Sequence, residues 1–204
     1  MRKDMIDKYA WANDIEAWTV AVITGQPADE VVRIYGGDPA RPVGDYFFAQ
    51  ARDLQGGGYP APLRFQLQVL SHGDHVVALE NNGWSGSVPE IARRCSADGG
   101  HFFSVYWNVN AFGMLVEAID GKVTAHFESL YPIAPDPPQP GEIRPEWAVG
   151  PETEPGAAWP TCLALVEQQT GLAIDQQWLS TPLPTYSVPD PDELLKDVEN
   201  ARLP

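Results

Sequence analysis

Lysine and arginine are scarce in this chain: 13 stand against 28 acidic residues, a formal net charge of −15 over 204 residues. A nucleic-acid binder needs clustered cations to displace phosphate counterions, and no stretch here supplies them. Cysteine is nearly absent. Cys95 and Cys162 are far apart and neither belongs to a Cys-x-x-Cys pair, which excludes a disulfide framework and points to a reducing, cytoplasmic setting. Long hydrophobic runs are missing too. The first apolar run, Ala17 to Ile23, is too short for a membrane span, and no signal peptide is visible. Nucleotide motifs are lacking, since Gly56-Gly-Gly58 leads into Tyr59-Pro60 rather than into Lys-Ser/Thr and a helix. Ser85 is preceded by Gly83, but residue 87 is Ser, so the nucleophile elbow Gly-x-Ser-x-Gly is broken.

What is present is an ordinary globular composition, 44% apolar and 20% charged, with an excess of proline (20 residues) gathered between Pro132 and Pro160 and again after Pro182. Ala17 to Thr24 is β-branched and ends at Gly25, which predicts a buried strand. A helix should follow, with Pro27 at its start, Asp29 and Glu30 in its first turn, and Val31, Val32, Ile34 and Tyr35 as its apolar face. Leu63–Ser71 and His75–Asn81 read as a hairpin about Gly73-Asp74, with Phe65, Leu67, Val69, Val76 and Ala78 on one face. Ser87-Val-Pro-Glu90 fits a capping box opening a helix that runs to about Cys95. Phe112–Ile119 and Lys122–Glu128 pair about Asp120-Gly121, a strong type I′ signal. In the simplest register Met114, Val116 and Ala118 face Phe127, Ala125 and Val123 on a core. Thr161–Thr170 is a helix closed by Gly171, and Asp190-Pro-Asp-Glu193 starts a last acidic helix.

Four segments together, Tyr9-Ala-Trp11, Asn82-Gly-Trp84, Tyr106-Trp-Asn-Val-Asn110 and Thr170-Gly-Leu-Ala-Ile174, resemble a mainly actinobacterial family defined by a domain of unknown function. The likeness covers most of Tyr9 to Leu179 and rests on scattered aromatic and glycine positions. That family has no established activity, so the resemblance implies no catalytic residue and no cofactor.

The residues offer three places for chemistry. His72 and His75 bracket a turn, but a metal would need third and fourth donors, with Asp74, His101 and His126 as the candidates. No metal site is expected there. On the outer face of the second hairpin, Glu117, His126 and Glu128 share one side in the simplest register. A histidine flanked by carboxylates suits a general base, although alternating polar residues equally describe a solvated sheet face. Third come the tryptophans. Trp18, Trp107 and Trp178 lie in periodic segments and read as core, whereas Trp84 ends a strand and Trp147 and Trp159 lie in the Pro-rich arm. Those arm rings either pin the arm to the domain or present an interface.

The expectation is an α+β fold: an antiparallel sheet of about five to seven strands with helices packed mainly on one face. Residues 1–180 would form one domain including the arm at 132–160, and 181–204 an acidic C-terminal extension with a short helix. The functional expectation is a non-enzymatic, acidic protein-interaction module whose partner is a basic protein rather than nucleic acid or membrane, an immunity or antitoxin role being one concrete version. Its contact residues would be Trp84, Glu142, Glu146, Trp147, Glu152 and Glu154. The alternative is a small-ligand binder or enzyme with a sheet-face pocket of Trp84, Tyr106, Trp107, Glu117 and His126. No cofactor is expected in the first reading.

Overall fold

Runs of β-branched and aromatic residues that are apolar at every position, not at every second one, belong to strands covered on both faces. Trp18–Thr24, interrupted only by Thr19 and ending in Thr24, is close to such a run, and it becomes β1 at the middle of the sheet. A computed structural model describes residues 3–54, 56–58, 61–129, 140–148 and 157–204. Its strands are β1 (Trp18–Thr24), β2 (Gly44–Tyr46), β3 (Gly56–Gly58), β4 (Ala61–His72), β5 (His75–Asn81), β6 (His101–Trp107), β7 (Gly113–Ile119), β8 (Lys122–Glu128) and β9 (Leu183–Pro189). They form one antiparallel sheet in the order β2-β9-β4-β5-β1-β6-β7-β8, with β3 hydrogen-bonded to β4 beside this path. The fold is α+β, as expected, with more strands than the five to seven predicted.

The helices are α1 (Lys3–Lys8), α2 (Ala28–Ile34), α3 (Phe48–Asp53), α4 (Pro89–Cys95), α5 (Ala158–Thr170) and α6 (Pro191–Leu194). Because side chains alternate along a strand, β1 sends Trp18, Val20 and Val22 into one core cluster and Ala21 and Ile23 into another. The first cluster also holds Phe48 of α3 and Cys162, Leu163, Ala164 and Val166 of α5. The second holds Val31 and Val32 of α2 and Ile91, Ala92 and Cys95 of α4. Helix residues therefore enter both clusters. Trp18 and Trp107 meet edge to face at 5.3 Å in the first cluster, both fully buried, and truncating either to Ala should cost about 3–5 kcal/mol.

Local signals explain most elements. Pro27, extended at φ −73° and ψ 155°, leads into α2, and Gly36 at φ +81° follows its end. The first hairpin closes His72 against His75 about Gly73, and Phe65, Leu67, Val69, Val76 and Ala78 all enter the second cluster. The capping box at Ser87 does not form. Ser87 Oγ donates to the Trp84 carbonyl at 2.7 Å, Val88 is the cap residue, and Glu90 turns to Arg93 and Arg94. The Glu90 amide is satisfied instead by the carbonyl of Ala201, at 3.0 Å.

The expected C-terminal extension also reads differently. β9 lies inside the sheet between β2 and β4, pairing Phe65 with Val188 and Leu67 with Tyr186. Leu195 and Ala201 beyond it are buried in the second cluster, so residues 183–201 complete the core that an extension would only have decorated.

Candidate functional site

The second hairpin closes as its turn predicts, with Asp120 at φ 50° and Gly121 at φ 73°. Beyond the turn a β-bulge intervenes: Ala118 pairs with Val123 but Glu117 pairs with Ala125, so Thr124 has no opposite number. From there each residue of β8 meets a partner one residue closer to the turn than the simple register gives. Leu115 faces Phe127 and Val116 faces His126. A slip of one residue exchanges the faces. Glu117 consequently lies on the face of Leu115, Ala125 and Phe127 in the first cluster, whereas His126 and Glu128 lie with Val116 on the other. The shared Glu117–His126–Glu128 face is thus corrected, and with it the proposed pocket. Trp107 and Glu117 are on one side of the sheet, and Trp84, Tyr106 and His126 on the other.

Glu117 meets a different histidine. His101 Nε2 is 3.0 Å from Glu117 Oε1, and Thr124, the bulged residue, donates its hydroxyl to Glu117 Oε2 at 2.9 Å. The carboxylate is only 6% exposed, while the His101 side chain keeps 24% of its surface in solvent. A carboxylate bonded to one imidazole nitrogen fixes the tautomer and leaves the other nitrogen as an acceptor. Phe103 lies edge-on to His101 at 6.4 Å. Among the described residues no group of three metal-ligating side chains forms. His72 packs on Trp178 and His75 Nε2 lies 3.2 Å from the Thr170 carbonyl, so neither turn histidine joins a donor set.

His126 instead helps close the sheet. Its amide and carbonyl exchange hydrogen bonds with Ile143, at 2.9 and 2.8 Å, and its Nδ1 lies 3.0 Å from the Gly141 carbonyl. Burial lowers its pKa, favouring the neutral ring that donates to Gly141. Arg144 lies over the Phe127 ring at 4.6 Å and is ion-paired with Glu142. Glu128 is raised by partial burial and by the charge of Glu142. Trp147 packs against Phe103 and Phe127 at 5.7 and 6.0 Å, and Trp159 stacks flat on Trp107 at 4.8 Å. Among the expected contact residues, then, Glu142 and Trp147 are engaged within the chain, Glu146 is exposed, and Trp84 carries Arg202 over its ring at 4.6 Å. Glu152 and Glu154 lie outside the described residues.

A second buried carboxylate went unread in the sequence. Glu80, at the end of β5, is 1% exposed and accepts from the amides of Ser85 at 3.1 Å and Gly86 at 2.9 Å. Thr19 Oγ1 donates to the Gly83 carbonyl and Ser104 Oγ to the Gly86 carbonyl, at 2.7 and 2.6 Å, so three central strands grip one loop. Burial raises the pKa of Glu80, against the two amide hydrogen bonds. The signal was a lone acid in a strand apolar on both faces, followed by a loop rich in Gly and Ser.

A cleft of about 290 Å³ lies between Val88 and the C-terminal residues Pro191–Leu203, and neither Glu80 nor the His101–Glu117 pair lines it. Both cysteines are free and buried, and burial pushes both thiols up, that of Cys162 to about 12, which disfavours the thiolate. No described helix is long and apolar enough to cross a membrane. The model of DUF6461, a family of unknown function, matches residues 3–188.

The chain belongs to DUF6461. No curated protein and no solved structure matches it. The DUF6461 match runs through Val188 of β9, in keeping with that strand's place inside the sheet.

Proposed function

We propose that this DUF6461 protein is a non-enzymatic interaction module that captures a basic protein, with an immunity or antitoxin role as one concrete version. The carrying observation is where the chain's own cations go. Among the described residues, ten Lys and Arg side chains are ion-paired with nine carboxylates, from Lys3–Asp7 to Arg202–Asp192. Most of these pairs are exposed and individually worth little, but each cancels a charge locally. Among the other described carboxylates, Asp29, Asp45, Asp53, Asp74, Asp98, Asp197 and Glu199 are exposed. A field of one sign accelerates capture of a partner of the other and repels competitors of its own. The test is capture from host lysate by the tagged chain, followed by affinity measurement with the purified partner across a salt series. A basic partner whose affinity falls steeply as salt rises supports the reading. A tight complex indifferent to salt defeats it.

A second reading, a small-ligand binder or enzyme, draws support from one observation, the His101–Glu117 pair with its half-open imidazole. Titrating the chain with a host metabolite extract while following the His101 ring resonances tests it. Resonances unmoved by every fraction would remove that support.

A further inference from the structure

The two ends of the sheet are finished differently. At β8, residues 140–148 close the edge through Ile143. At the opposite end, among the described residues, β2 pairs with β9 alone. Val43, Asp45 and Phe47 fall in and beside the short β2, and all three are exposed, Val43 at 46% and Phe47 at 41%. Asp45 lies opposite Pro184, which is also exposed, and two residues along the same face of β9 is Tyr186, packed against the second cluster. On this face α2 packs over β4 and β5 and carries Asp29 in its first turn. Burial and then the charges of Asp29 and Asp45 raise the Tyr186 phenol. Neither aspartate has an ion pair among the described residues. Arg41, two residues before Val43, is turned to Asp38 at 3.5 Å.

We propose that this end of the sheet face, with Val43, Asp45, Phe47, Pro184 and Tyr186 and with Asp29 beside it, is the docking surface for a basic protein segment in which Lys or Arg alternates with apolar residues. The assignment rests on the interaction-module reading and gives it a place. Charge complementarity selects the occupant. A second copy of this chain, itself at −15, is repelled, as are nucleic acid and acidic lipid. A lysine or arginine stem lies along apolar surface while its head reaches a carboxylate, which suits an unpaired Asp45 set between Val43 and Phe47. The Tyr186 ring offers the same cation a π face.

The experiment titrates the full-length, ¹⁵N-labelled chain at low salt with the synthetic peptide Lys-Val-Lys-Val-Lys and follows backbone amide shifts, which also report folding. The expected result is shifts concentrated at Val43–Phe47 and Thr185–Tyr186. The double variant Asp29→Asn/Asp45→Asn should weaken binding by about 5-fold or more, and Asp74→Asn/Asp98→Asn, which removes the same charge elsewhere, by less than about 2-fold. Shifts spread over the surface, or equal weakening by the two double variants, overturn the docking surface and leave the module reading standing. No binding by the unsubstituted chain overturns the surface and counts against that reading as well.

Discussion

Glu80 and Glu117 are both buried carboxylates, one on each face of the same sheet, and they are held in opposite ways. Glu80 sits at the centre, where β1, β5 and β6 run side by side, and its donors are the backbone amides of Ser85 and Gly86. Glu117 is on β7, one strand from the β8 edge, and its partners are the side chains of His101 and Thr124. Backbone donors cannot swing away, so Glu80 has one arrangement and holds a loop. Side-chain partners can rotate or change protonation, so Glu117 orients a histidine that still reaches solvent. The first arrangement builds structure, and the second is the kind from which chemistry can be made.

The comparison breaks hardest at Glu80. Glu80→Ala leaves two buried amides unpaired and should cost about 3–4 kcal/mol in urea unfolding, since each orphaned donor costs about 1–3 kcal/mol. A loss below about 1 kcal/mol would mean that the loop finds other partners or water. Gly86→Ala tests how tightly the loop is seated. A Cβ there would come within 2.7 Å of Thr19 Cγ2 and 3.1 Å of Tyr35 Oη, both buried, so a loss of about 2 kcal/mol is expected from overpacking. Glu80→Gln keeps one acceptor and turns an amide NH₂ toward a backbone N–H, for a loss of about 1–2 kcal/mol near neutral pH.

That variant also carries a pH signature. Burial raises the folded-state pKa of Glu80 above 4.5, so between the unfolded and folded values the native state binds more protons than the unfolded one. The contribution of Glu80 to stability therefore rises as pH falls through its folded pKa toward 4.5. Glutamine has no such response. Relative to Glu80→Gln, the unsubstituted chain should gain stability over that window, measured by parallel urea titrations at several pH values. A stability gap constant from pH 7 to 4.5 would contradict the shift.

The two hairpins show what the sequence disclosed. Both turns were legible from Gly73-Asp74 and Asp120-Gly121, because Gly73, Asp120 and Gly121 take positive φ, which few residue types tolerate. In the first hairpin nothing intervenes between turn and core, so the apolar face could be named residue by residue. In the second, Thr124 adds one residue to one strand, and every assignment beyond it changes face. A bulge at a threonine has no compositional mark, which is why Glu117 was matched to His126 when its partner is His101 on β6. β9 was hidden for a related reason. Leu183-Pro-Thr-Tyr-Ser-Val-Pro189 carries a proline near each end, and proline ordinarily demotes a strand, yet here Pro184 faces the short β2 and the strand is sheltered between neighbours. Trp18, Trp107 and Trp178 were readable as core because burial of a large ring in a periodic segment needs no register.

Smaller substitutions sharpen the Glu117 side. Glu117→Gln keeps an acceptor for Thr124 but removes the charge that orients His101, and about 1 kcal/mol is expected, less than for Glu80→Gln because His101 retains access to water. Thr124→Val should cost least, about 0.5–1 kcal/mol, since the β-branched shape that suits the bulge is kept and only the hydroxyl donor is lost. Its informative readout is the imidazole. If Thr124 holds Glu117 in place for His101, the ¹⁵N resonances of the His101 ring should move in Thr124→Val with the fold otherwise unchanged. Unmoved ring resonances would show that His101 and the β7 backbone position the carboxylate unaided. The bulge would then be a device for turning β8 over, with no part in setting the histidine.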